Sequence, residues 1–521
     1  MQGKKIYQEK LFNDFRLSER VPAHNFYRRL QSVLDLNYLY ILTKDFYGDS
    51  GQKSIDPVVF FKLCLVGYLE NITSDRKLVE HCGMRLDILY FLGYGIDEEL
   101  PWHSTISRTR QLFPEDVFEA VFTKVFTLCV DAGMVSGHTQ TVDSAPVKAN
   151  ASMDSLELKV PEEELEAHLR KVRHISARDR EKPLRQAKTN KAGKDQQNLS
   201  ASSTELQEIK GRNQKWAKDQ DQRPGAGNKG SRYTSNKTHY SPTDPDARIS
   251  VKPGKARKLN YLSKLCVDTA HHVISDIKAY HADGKDNQQL PDIVKRLKRR
   301  LWQQGLVWEN CVADTGYSSG ENYAFLERQG LKSFIPPHGT YKGGPEGFVY
   351  IEGGNYWLCP QGKKVTFRKQ KLEKGTLKDN YFTRRSDCKG CPIKAQCIGK
   401  SHEKRINITA YREEYERNIA RVSSPLGRYM KGKRQSTVEP VFGTLTQFMG
   451  LGKVNTIGLA QANKCMHLSA MAYNLKKYLK FVQKRSKSGA ICLALTFSLK
   501  KHLQRCIAPF LILPKSAYAV A

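Results

Sequence analysis

Two short apolar runs, each ending on an aspartate, restrict the fold of this chain more than any other feature. The first lies in TVDSAPVKANAS (141–152) and reads as a short strand ending at Asp143, with a turn through Pro146. The second is VWENCVADTGY (307–317), an apolar run ending at Asp314. Between them, LNYLSKLCVDTAHHVISDIKAYHAD predicts two strands, 261–267 and 272–281, joined by a tight DTAH turn. LPDIVKRLKRRLWQQG (290–305) predicts an amphipathic helix ended by Gly305. After Asp314 come a short helix, GENYAFLERQG (320–330), and a further strand, LKSFIPP. A hairpin followed by strand–helix alternation makes an α/β fold, a mixed sheet with flanking helices. In such sheets ligands and catalytic groups collect at the carboxyl ends of strands, where both aspartates fall.

A third acid, Glu439, sits in STVEPVFGTLTQF, where Val438, Val441, Phe442 and Leu445 mark one helical stripe and Glu439 lies beside it. Two strand-end aspartates and a helical glutamate make a hard-oxygen set suited to Mg²⁺ or Mn²⁺. Two such ions activate an attacking water or hydroxyl and stabilise the leaving oxygen at phosphorus. Taken without the two aspartates, Glu439 reads first as a surface acid near a helix start, favoured there by the macrodipole.

The charge balance points to the substrate. Lys and Arg number 85 against 53 Asp and Glu, a formal net charge of +32 in 521 residues. That excess fits a polyanion partner, with nucleic acid favoured over an anionic membrane surface or a merely soluble basic protein; double-stranded DNA is the expected partner, held by phosphate contacts and counterion release. Lys431, Lys433 and Arg434 precede Glu439, and Lys148 follows Asp143, all placed to meet phosphates. No apolar run reaches the ~18 residues of a membrane span, so no membrane partner is expected. The N-terminus lacks the apolar core of a secretory signal, which makes the cytoplasm the expected compartment. Single cysteines in apolar surroundings (Cys64, Cys129, Cys266, Cys311) read as reduced core residues.

Residues 1–135 read as a self-contained all-α N-terminal domain. PVVFFKLCLVGYLENI starts a helix at Pro57, and Ser74 or Asp75 caps one carrying Leu78, Cys82 and Leu86 on one face. In PWHSTISRTR, Ser104 or Thr105 is expected to cap a short helix exposing Arg108 and Arg110. That suits a helix-turn-helix on DNA, or a plain packing module. His103 reads as structural. The second domain spans 136–482 and carries a basic insertion at about 151–255. From Lys171 to Tyr233 that insertion has 16 Lys and Arg against seven Asp and Glu, too few apolar residues to fold alone. It either lies along DNA or is a solvated loop. Asp244 and Asp246 read as turn residues. A compact insertion at about 340–410 begins with a hairpin turning at Gly353–Gly354 and carries Cys359, Cys388, Cys391 and Cys397. A CxxC pair with two further cysteines is a tetrahedral thiolate set for structural zinc, although the long spacing leaves Cys359 open to chance pairing. The basic and apolar tail, 483–521, is an amphipathic helix, an interaction segment or without role.

Taken together, FLGYG with PWHSTISRTR, TVDSAPVKANAS, SPTDPDAR, VADTGYSSGEN, CPQGKK with CKGCPIKAQC, VEPVFGTLTQ and HLSAMAYNLKKY resemble, in order, a bacterial insertion-sequence transposase of the DDE type. The similarity is to the branch with a helical N-terminal domain and four cysteines before the final glutamate. It implies an RNase H-like core, Asp143, Asp314 and Glu439 as catalytic acids, and Mg²⁺ as cofactor. It also implies binding to terminal inverted repeats by a homodimer or higher oligomer, on the bacterial nucleoid. A nuclease or resolvase on the same fold, or a catalytically dead DNA-binding remnant, are the alternatives.

Overall fold

The computed structural model describes residues 16–48, 54–158, 236, 239–250, 257–339, 341, 343–373 and 376–487. The expected helix at 161–175, most of the basic insertion and the tail beyond 487 lie outside the described residues.

The amino-terminal third is helical, as expected. Its main helices are α1 (Phe26–Val33), α2 (Pro57–Leu69), α3 (Asp75–Gly83), α4 (Leu86–Leu92), α5 (His103–Leu112) and α6 (Glu115–Asp131). Asp56 caps α2 by accepting the Val58 and Val59 amides, with Pro57 in the first turn where its missing N–H costs nothing. Ser74 caps α3 as the sequence predicts. The α3 periodicity does not run on through Leu86: the chain becomes extended at Arg85, and α4 is a separate helix closed by Gly93 at φ +86°. Helix α5 also starts earlier than expected, at His103 behind an extended Trp102, so Ser104 and Thr105 lie inside its first turn.

These helices are not self-contained. One hydrophobic core runs from Tyr27, Phe60, Phe61 and Phe122 into the sheet at Val147, Leu265 and Ile277. The element that joins them is α11 (below), which packs on both α2 and α6.

The sheet begins with β1 (Thr139–Lys148), followed by β2 (Arg248–Ser250), β3 (Lys258–Asp268) and β4 (Ile274–His281). Helix α7 (Asp286–Gln303) crosses over to β5 (Asn310–Ala313); α8 (Gly320–Arg328) then leads to β6 (Lys332–Phe334). The strand order is β2-β3-β1-β5-β6, with β4 also paired to β3. β1 is antiparallel to β3 and parallel to β5. The predicted turn at Pro146 is absent: β1 continues through it to Lys148, opposite Asn260. Pairing with β5 stops at Val142, so from there until Lys148, which bridges to the segment around Lys453, β1 has one open side where a proline is tolerated.

A second, five-stranded antiparallel sheet comprises β7 (Val349–Ile351), β8 (Tyr356–Leu358), β9 (Lys364–Glu373), β10 (Thr376–Phe382) and β11 (Arg405–Thr409). Trp357, Val365, Tyr381 and Ile406 form its own small core. The hairpin expected at Gly353–Gly354 joins β7 to β8, closed by Asn355 in the left-handed region. Three helices complete the described residues: α9 (Arg412–Ser423), α10 (Pro425–Phe448) and α11 (Leu459–Lys487).

Helix α11 solves an edge problem. An unpaired strand edge exposes amides and carbonyls that must be satisfied. Asn474 accepts the Ile274 amide and donates to the Ile274 carbonyl, both at 2.9 Å, and Asn463, three turns earlier, accepts the Ala279 amide. The asparagines thus extend the ladder of β4 from a helix. Asn474→Ala strands both backbone groups of Ile274 in a dry interior and is expected to cost about 2–4 kcal/mol, read as a fall in the urea midpoint.

Candidate active site

The parallel register between β1 and β5 ends at Val142 opposite Ala313. The next residue on each strand is Asp143 and Asp314, so strand pairing itself sets the two carboxylates side by side at the sheet's carboxyl edge. Asp314 also caps the following turn, accepting the Gly316 amide at 3.0 Å. Asp143 accepts the amide of Ser144 at 2.7 Å.

Helix α10 lies across this edge. Its buried stripe is Val438, Val441 and Leu445, as the spacing predicts. One turn before that stripe, Arg434 donates to Asp143 Oδ2 at 2.7 Å, an ion pair 15% and 16% exposed. Lys431 and Arg434, with Asp314, Thr315, Phe334 and Pro336, line a cavity of about 70 Å³ beside the aspartates.

Both carboxyls are shifted upward. Burial is the first cause for Asp143, which is pushed up to about 6; the charge of Asp314 adds to it, while the Ser144 amide and Arg434 oppose it. Burial also raises Asp314, helped by the charge of Asp286 and opposed by Arg434. Arg434 pairs with Asp143 alone and the Lys264 ammonium is taken up by Asp286, so the buried acids remain short of positive charge. Hard oxygen donors with that deficit suit a divalent cation.

The other expected residues fall as follows. Glu439 is on α10 but exposed. Five residues separate it from Arg434, which places it roughly 140° around the helix from the face that meets Asp143. Among the described residues no three His, Cys, Asp or Glu side chains gather closely enough to grip a metal as they stand, so the structure does not bring Glu439 to the aspartate pair. Lys148 is exposed, with its amide on the Gly452 carbonyl. Lys433 is half-buried and Lys431 exposed.

Arg108 is exposed on α5, as expected. Arg110 is not, and its assignment as a DNA contact is corrected. It is 5% exposed, forks onto Asp75 of α3 at 2.9 and 2.7 Å, and its carbonyl accepts from Lys464 of α11. Two residues further along a helix turn a side chain by roughly 200°, so 108 and 110 cannot share a face. Asp244 and Asp246 are structural: Asp244 accepts the Tyr261 hydroxyl, and Asp246 accepts the Leu459 amide at the start of α11.

Cys359, Cys388, Cys391 and Cys397 together line one small cavity of about 20 Å³ beneath the second sheet. The Cys359 sulfur accepts the Lys363 amide at 3.3 Å, and the Thr383 hydroxyl is 3.2 Å from that of Cys388. Amide donation to sulfur stabilises a thiolate, which is what a zinc ligand must be. The donor set therefore fits, although the sulfurs do not converge to a closed group in this structure. Cys64, Cys129, Cys266 and Cys311 are buried free thiols, as the sequence predicts.

One residue at the site carried no signal in the sequence. Asp286, the first residue of α7, adds its charge to both Asp143 and Asp314. It sits in HADGKDNQQ, which reads as an ordinary polar loop.

Comparison with known families gives two matches. Residues 15–112 match a family described as "Transposase domain (DUF772)", and residues 358–479 match one described as "Transposase DDE domain". No curated protein matches the chain. Among solved structures, the chain aligns with a piggyBac transposase synaptic complex with hairpin DNA at 11% identity and a TM-score of 0.31. That alignment covers 94% of this chain and 80% of the other. Among the described residues no helix is long and apolar enough to cross a membrane.

Proposed function

Since this chain belongs to the insertion-sequence DDE transposases, we propose that it cuts DNA at the ends of its element and joins the freed 3′-hydroxyls to target DNA, with Asp143 and Asp314 at the centre. The observation that carries this reading is the β1–β5 register, which makes the two aspartates neighbours at the sheet's carboxyl edge under a basic helix. The six-stranded sheet, in which β1, β2, β3 and β4 pair antiparallel and β5 and β6 add to β1 in parallel, supports the RNase H-like assignment.

Asp143 and Asp314, with Glu439, would hold Mg²⁺ or Mn²⁺, which activates the attacking oxygen and stabilises the leaving one. The chain's own groups do the rest. Arg434 and Lys431 neutralise the phosphate that enters beside Asp314. Lys433, Lys148 and Arg108 extend the basic surface along the duplex and fix its register without reading sequence. Burial of Asp143 keeps its carboxylate poorly hydrated, so it gains more from a cation than a surface acid would. Recognition of terminal inverted repeats by a homodimer or larger assembly, in a bacterial cytoplasm, completes the reading.

The test is incubation of the full chain with Mg²⁺, a labelled element end and a plasmid. Cleavage plus a joined product, both lost in Asp143→Asn, supports the proposal. Cleavage without joining would make the protein a nuclease or resolvase, and binding alone a DNA-binding remnant.

The cysteine insertion would carry structural zinc. Protein purified under reducing conditions is then expected to contain one zinc per chain by elemental analysis. Cys391→Ser is expected to lose it and to melt earlier. Zinc-free wild-type protein with an unchanged melting curve would refute this assignment.

A further inference from the structure

The second sheet has an apolar face and a basic one. Trp357, Val365, Tyr381, Ile406 and Ile408 pack together on the first. Residues directly opposite one another across paired strands share a face, and successive residues alternate. The other face therefore carries Lys364, Lys369 and Lys371 of β9, Lys378 of β10 and Arg405 of β11. Lys364, Lys369, Lys371 and Arg405 are exposed, and Lys378 is half-buried.

A bulge gathers this charge. Strict alternation from Val365 would set Lys369 and Lys371 on the packed face with Phe367. The register instead shifts at Arg368: Phe367 stands opposite Tyr381, and Lys369 opposite Asn380. A bulge re-aims the side chains that follow it. Here it turns Lys369 and Lys371 onto the outer face beside Lys378. The Lys364 ammonium lies 4.7 Å from the centre of the Tyr356 ring, and the Arg405 guanidinium 5.3 Å from that of Phe382. Both rings steady a cation over this face. Glu373 answers Lys371 and Lys378, and Glu403 answers Arg405. Among the described residues no carboxylate pairs with Lys364, Arg368 or Lys369.

From this bulged, one-sided row we propose that the outer face of the second sheet is a docking surface for the phosphate backbone of duplex DNA, separate from the aspartate site. This assignment rests on the reading of the chain as a protein that acts on DNA, and deepens it by naming where the duplex is held. From Lys364 to Lys371 the row runs about 20–25 Å. A duplex offers one negative charge per ~1.7 Å of its axis, so such a row meets several phosphates at once. Lysines also deter pairing at an open edge, and β9 is open beyond Thr366, where its pairing with β8 ends. Edge protection does not require the bulge that gathers those lysines with Lys378 of the inner strand β10. A lipid surface would call for an apolar face to insert. The exposed Phe367 and Leu372 alternate to the opposite side of the sheet.

The test follows binding of the full chain to a labelled duplex of random sequence, by fluorescence anisotropy over a series of salt concentrations. Lys364→Gln/Lys369→Gln/Lys371→Gln is expected to weaken binding roughly ten-fold and to lower the slope of log affinity against log salt by about two to three. Lys295→Gln/Arg299→Gln/Lys332→Gln removes the same charge from exposed positions on α7 and β6 and is expected to leave both nearly unchanged. Thermal melting confirms that both variants are folded. Wild-type affinity and slope in the β9 variant overturn the proposal and leave its lysines as edge protection. Equal weakening in the two variants also overturns it, since net charge alone would then account for the loss. Unchanged duplex binding in the β9 variant, with lost binding to phosphatidylserine vesicles, would assign the face to lipid instead. A wild-type chain that binds no duplex would overturn the DNA reading itself, and this surface with it.

Discussion

Asp143→Asn is expected to lower strand cleavage and joining by roughly 10³-fold or more, because a cation ligand at the reacting phosphate supplies several kcal/mol of transition-state stabilisation. The same change is expected to make the metal-free protein more stable at neutral pH. Burial holds the Asp143 carboxyl at about 6, above its ordinary 3.8. The folded state therefore binds that proton more tightly than the unfolded one. Below about pH 4 both states are protonated and the position costs nothing. As pH rises through 6 the carboxyl must ionise in a desolvated place, and up to roughly 3 kcal/mol of stability is lost. Asparagine never ionises, so the variant keeps that stability, less what Arg434 forfeits as its partner. The net expectation is a gain of about 1–2 kcal/mol near pH 7.5 in a chelator, absent near pH 4, read from urea unfolding. A variant less stable than wild type at pH 7.5 would show that the Arg434 pair outweighs the desolvation. The combination of lost activity and raised stability separates a functional acid from a structural one.

Arg110→Met is expected to destabilise the protein by about 3–5 kcal/mol, because it removes the cation from a largely buried ion pair and leaves Asp75 uncompensated. Arg108→Ala, two residues away on the exposed side of the same helix, is expected to change stability by less than about 0.5 kcal/mol. It should instead weaken DNA binding evenly across sequences and reduce the slope of affinity against salt by about one. Thermal melting and salt-dependent binding on the two variants check the pair. Equal effects of the two on DNA affinity, with both proteins folded, would restore Arg110 as a contact.

Much of the scaffold was legible because local rules wrote it. The β3–β4 hairpin, the amphipathic stripe of α7, the turn at Gly353–Gly354 and the Val438–Val441–Leu445 face all follow from periodicity and turn chemistry. The misses share a cause. Pro146 looks like a turn, yet a strand with an open side accepts it, and openness is a property of the partner strand. Arg108 and Arg110 are both good surface residues by composition; only the position of α3 and α11 decides which one is buried. The helical third looks independent because its own helices carry enough apolar surface, whereas α11, more than 300 residues downstream, makes the core common to both.

The sequence alone determined the chemistry on offer: a strongly basic chain, two aspartates following apolar runs, a helical glutamate and four cysteines in one insertion. Those are statements about residue types and short-range spacing, which a chain carries whatever its fold. The tertiary structure decided proximity. It placed Asp143 beside Asp314 through a parallel register, laid Arg434 on one of them, left Glu439 exposed and brought the charge of Asp286 to bear on both aspartates. Proximity between residues 140 or 290 positions apart depends on strand order and helix packing, and no local pattern in the sequence encodes it.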